Sequence, residues 1–156
     1  MKTTAIDVRQ YFEPVMGTRP WRVKLGVGSF LTFEFGHRVK DHGHLHGTFH
    51  LWVYQSKWAL FHADRQFVDS DSDRRVIAPA VRRLEDIPLT DVDFTPHNGK
   101  TTFVFDDFRL VVSPADYLDD PDERDHYWLF FMSNKEVLAV GPGGVRVEPS
   151  EGRNRA

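Results

Sequence analysis

Trp21-Arg-Val-Lys-Leu-Gly-Val27, then Gly28-Ser29, then Phe30-Leu-Thr-Phe-Glu-Phe35, reads as two strands joined by a turn. Trp21, Val23, Leu25 and Val27 alternate with Arg22, Lys24 and Gly26, which is the period of a strand with one buried face. Leu31, Phe33 and Phe35 repeat the alternation after the Gly-Ser turn. Downstream, Gly36 to Gly47 reads as a long hairpin loop and Phe49 to Tyr54 as a strong strand. Gln55-Ser56-Lys57 is the next turn, after which Trp58 to His62 is expected to pair back.

Asp69-Ser-Asp-Ser-Asp73 is a polar break suited to capping a helix. From about Asp73 to Glu85 the apolar residues Ile77, Ala80, Val81 and Leu84 share one helical face, with the regular helix expected to begin near Pro79. Beyond it, strands are expected at Val92–Phe94, Thr101–Phe105, Phe108–Val112, Tyr127–Met132, Val137–Val140 and Val145–Val147. Asn98-Gly99 fits a two-residue type I′ turn. Upstream, Val8, Phe12 and Val15 are spaced for a short helix that Pro14 limits.

These segments give an α+β class, antiparallel and β-rich, made of successive hairpins with two helices. The 156 residues suit a single globular domain, 1–148, followed by a disordered tail, 149–156. The two halves also look alike. Residues 4–63 and 73–141 each run as helix then hairpins, Phe33 and Phe35 match Phe103 and Phe105, and His50-x-Trp52 matches His126-x-Trp128, as expected of an internal duplication.

Composition narrows the function classes. A net charge of −3 lacks the basic excess of a nucleic-acid binder. The absence of cysteine excludes a thiol nucleophile and a thiolate metal site. The first ten residues lack the apolar core of a signal peptide, and no apolar run reaches the roughly 18 residues of a membrane span, so a cytoplasmic protein with no membrane partner is expected. Phosphate-binding and nucleophile-elbow motifs are missing, and the expectation leans away from an enzyme.

Two groups of residues could carry function. His42, His44, His46 and His50 fall at strand-like spacing, so their imidazoles could converge on a divalent transition metal, with Asp41 nearby. Arg75 and Arg82, on the polar face of the helix with Arg74 and Arg83 beside them, could dock a protein partner. Asp119 and Asp120, within the acidic run Asp116 to Asp125, could do the same. Trp52, Trp58 and Trp128 are expected in the core, and an exposed tryptophan among them would mark a binding surface.

Gly28-Ser-Phe-Leu-Thr-Phe-Glu-Phe-Gly36, His50-Leu-Trp-Val-Tyr54 and Val137-Leu-Ala-Val-Gly-Pro-Gly-Gly144 resemble the motifs of a family of uncharacterised bacterial single-domain proteins. The resemblance covers about residues 20 to 145. It brings no chemistry with it, and by fold analogy alone it implies a partner-binding role such as that of an immunity protein.

Overall fold

The computed structural model describes residues 6–114 and 126–150. Among them are eleven strands in two antiparallel sheets. The first sheet has the order β1 (Arg22–Leu25), β2 (Leu31–Asp41), β3 (His44–Val53), β9 (Trp128–Phe131), β10 (Glu136–Gly141) and β11 (Gly144–Pro149). The second has the order β5 (Arg65–Asp69), β4 (Ser56–His62), β8 (Phe108–Pro114), β7 (Thr101–Phe105) and β6 (Asp91–Phe94). The antiparallel, β-rich α+β class expected from the sequence is therefore present.

Alternation decides which face of each strand is buried. Val23, Leu31, Phe33, Phe35, Leu51, Val53 and Phe130 of the first sheet join Trp58, Leu60, Phe103, Phe105, Leu110 and Val112 of the second in one core. Phe33 stacks on Phe105 across the interior at 5.8 Å between ring centroids. Two indole N–H groups are satisfied inside: that of Trp58 donates to the Ser29 carbonyl at 2.7 Å and that of Trp128 to the Thr101 hydroxyl at 2.9 Å. Without those acceptors each buried donor would cost about 1–3 kcal/mol.

Helices close the open sides of the sandwich. The N-terminal 3-10 helix, Val8–Val15, packs on β6 and buries Val8, Phe12 and Val15. Helix α1, Arg74–Arg82, packs on β1 and β5 and runs directly into a 3-10 turn, Arg83–Asp86. Its N-cap is Asp73, whose carboxylate accepts from the Arg75 amide and is held below the ordinary aspartate range by Arg75. Pro79 lies inside α1 and does not start it. A capping carboxylate satisfies an amide that the first turn leaves open, and this outweighs the proline in setting where the helix begins.

Three other expectations are corrected. Trp58–His62 does not pair back on β3, because the chain changes sheets at Tyr54-Gln55, whose amides donate to the Tyr127 and His126 carbonyls. Gly36 to Gly47 is not a loop: β2 and β3 continue through it to a tight turn at His42-Gly43, both at positive φ. Between β6 and β7 only Gly99 has positive φ, and the Asn98 side chain instead accepts from the Lys100 amide, so this connection is a wider loop and not a type I′ turn. The last strand is also longer than expected, and Ser150 beyond it is buried with its amide bonded to the Lys135 carbonyl.

Candidate functional site: a basic groove beside an aromatic shelf

Strand β1 is an edge strand, and α1 lies alongside it. Between them runs a groove of about 670 Å³. Trp21, Val23, Leu25 and Ala78 give it an apolar floor, and Arg22, Lys24, Arg74, Arg75 and Arg82 line it with positive charge. Among the described residues Glu85 is the one carboxylate in that lining. Its oxygen accepts from the Val23 amide at 2.9 Å, which caps an outward-facing donor of the edge strand.

The cations are held to different degrees. Arg74 donates to the carbonyls of Gly26 and Gly28 and is fixed. Arg22 donates to the Leu45 carbonyl at 2.6 Å. The guanidinium groups of Arg22 and Arg38 both lie over the Trp21 ring, 5.3 and 4.7 Å from its centroid. Arg82 stands 3.9 Å from Glu85, and Arg75 is 3.3 Å from Asp73 with its side chain 91% exposed. Lys24 forms no ion pair among the described residues. The indole N–H of Trp21 and the Nε–H of Arg22 are buried with no acceptor among the described residues.

The groove continues onto the outer face of the first sheet. Register places Arg22, Glu34, His50, Phe131, Val137 and Glu148 in one row across the strands. Lys24, Thr32, Trp52, Leu129, Ala139 and Arg146 form the next row. Their centre is aromatic: His50 lies 4.6 Å from Phe131 and 5.5 Å from His46, and Trp52 lies 4.8 Å from Phe131. Trp52 is half-buried on this face, packed with Phe131 against a second, smaller buried cluster of Leu129, Val137 and Ala139, whereas Trp58 and Trp128 are in the main core.

The histidines separate. His42 sits in the hairpin turn with its side chain 92% exposed, 3.4 Å from Asp41. His44 is exposed on β3. His46 donates from Nδ1 to the Gly47 carbonyl at 2.8 Å, and His50 Nδ1 stands 3.6 Å from buried Glu34. Among the described residues no three His, Asp or Glu side chains are grouped so as to hold a metal ion. Asp119 and Asp120 lie outside the described residues.

Arg75 and Arg82 do line the groove, whereas Arg83 turns away over Phe67 and Phe108. Sequence reading missed Trp21, Arg22, Lys24 and Glu85 as site residues, because α1 that completes the groove follows β1 about 50 residues later. The alternating cations of Arg22-Val-Lys24 were the available signal.

The opposite side of the sandwich offers an internal comparison. There the edge strand β6 carries Asp91 and Asp93 where β1 carries Arg22 and Lys24, with the same burial pattern along both strands. Arg9 of the N-terminal helix bonds Asp91 at 2.7 Å and holds its carboxyl below the ordinary aspartate range. A depressed folded-state pKa stabilises above the unfolded value, near 4, and that stabilisation is lost as pH falls through the folded value. Arg9→Gln should therefore lower stability at neutral pH, and its urea midpoint should converge on the parent's as pH falls below the ordinary aspartate range. A constant gap across that range would mean that the pair contributes nothing through charge.

No protein-family model, curated protein or solved structure matches the chain. Among the described residues no helix is long and apolar enough to cross a membrane.

Proposed function

We propose that the protein acts by binding a protein partner and not by catalysis, with the groove between β1 and α1 as its docking site. The observation that carries this reading is the excess of five cations over one carboxylate among the described residues that line its apolar floor, in a chain of net charge −3. Such a surface steers an oppositely charged partner and then buries apolar area against it. The neighbouring shelf of Trp52, Phe131 and His50 has the aromatic character of interface anchors. The role fits a small bacterial binding protein of the immunity kind, which is also what the motif resemblance implies.

Arg75 and Arg82 are exposed and make only peripheral ion pairs, so they can be changed without cost to the core. The double variant Arg75→Glu/Arg82→Glu should melt like the parent. As bait in a lysate of the source cells it should lose at least about 90% of any species the parent captures in a salt-sensitive way. Equal capture by both baits would sink the docking site.

We also read the chain as a duplicated unit that has exchanged strands. Support comes from the strand orders: β1-β2-β3-β9-β10 in one sheet and β6-β7-β8-β4-β5 in the other. Register supports it too, since Val23 opposite Phe33 and Phe33 opposite Leu51 recur as Val92 opposite Phe103 and Phe103 opposite Leu110. Trp58 opposite Val112 recurs as Trp128 opposite Val53. On this reading the partner of Trp128 is Trp58 and not Trp52. Residues 73–149 expressed alone should then sediment as a strand-exchanged dimer, and a folded monomer would contradict the duplication.

A further inference from the structure

We infer that the groove takes an extended acidic segment of a partner protein, in which carboxylates flank an apolar side chain. This inference rests on the partner-binding reading above. The floor of Trp21, Val23, Leu25 and Ala78 offers apolar contact that a bare polyanion cannot use. The cations stand on both walls, Arg22 and Lys24 on the strand and Arg75 and Arg82 on the helix. A chain lying between them can therefore present a carboxylate to each side.

Glu85 in the lining and Asp73 beside Arg75 interrupt the positive surface. A continuous phosphate backbone would meet both, whereas a peptide with spaced carboxylates avoids them. The charge is a property of this groove and not of the architecture, because the corresponding strand β6 is acidic.

The test is calorimetric titration of the full chain with a short peptide alternating glutamate and leucine. A lysine–leucine peptide, a single-stranded thymidine oligonucleotide and inorganic phosphate serve as comparisons. The glutamate–leucine peptide alone should bind. Its affinity should fall with added salt and drop about tenfold or more in Arg75→Glu/Arg82→Glu, whose melting is unchanged.

Equal binding of phosphate or oligonucleotide would overturn the peptide assignment in favour of a general anion groove. Salt-sensitive dimerisation that the peptide fails to displace would overturn it in favour of a second copy of this chain. If the peptide does not bind while the charge-reversed bait still loses a captured species, the docking site stands and the acidic occupant is wrong. If neither differs from the parent, both readings fall together.

Discussion

Replacing Phe12 with alanine should destabilise the protein by about 3–5 kcal/mol, the range for truncating a fully buried aromatic residue. The side chain is 0% exposed. Its ring lies 4.1 Å from that of Phe130, 5.6 Å from that of Trp128 and 5.7 Å from that of Phe103, centroid to centroid. Phe130 and Trp128 belong to one sheet and Phe103 to the other, so a single ring from a 3-10 helix bridges both layers. The cavity left by alanine is walled by strands that cannot collapse inward. Against the roughly 5–15 kcal/mol that stabilises an ordinary domain, the loss is about a fifth or more. Urea unfolding should show a lower midpoint with an unchanged slope. Gln10→Ala, on the exposed side of the same helix, should change stability by no more than about 0.5 kcal/mol. A Phe12→Ala effect as small as that would mean the helix does not plug the sandwich.

Gly47→Ala is the second large effect, and it acts through the backbone. A β-carbon at this position would lie 2.1 Å from the Phe35 carbonyl oxygen and 2.8 Å from the Phe35 nitrogen. Neither atom can swing aside, because β2 and β3 are paired here around a bulge between Phe35 and Arg38. The Gly47 amide also donates to Glu34 at 2.8 Å, the bond that satisfies this buried carboxylate next to His50. Relief of the clash therefore pulls a donor away from the buried Glu34 carboxylate, and the expected loss is about 3 kcal/mol or more. Gly43→Ala in the turn of the same hairpin meets nothing within 4 Å and has only its positive φ, +82°, to resist it. It should cost about 1–2 kcal/mol. Equal midpoints for the two variants would show that β2 and β3 are not in close contact at Gly47.

The elements legible in the sequence were those whose signal is local. The alternation of Trp21 to Phe35 and of Thr101 to Val112 places strands where they lie, and Asp73 marks the helix start through its side chain. Pairing between elements was less legible. Gln55-Ser56-Lys57 looks like a hairpin turn, yet β3 and β4 go to different sheets because their partners, β9 and β8, come more than 50 residues later. No local pattern encodes that choice. Gly36 and Gly47 suggested a loop, whereas Gly47 is needed for close approach of two strands and Gly36 for a bulge. The groove was half legible for the same reason: Arg75 and Arg82 stood out on a helix, and the strand that completes it lies far upstream.

The crossing at Tyr54-Gln55 has a consequence for synthesis. Strands β4 and β5 must wait for β8, and β3 must wait for β9 at Trp128–Phe131. A nascent chain therefore carries the unpaired edges of β3 and β4 while more than 50 further residues are made, several seconds at about 5–20 residues per second. During that interval the Phe- and Trp-rich strands are open to wrong pairing with other nascent chains. Productive folding then waits for β9, and yield in cells should depend on chaperone supply more steeply than the stability of the finished protein implies.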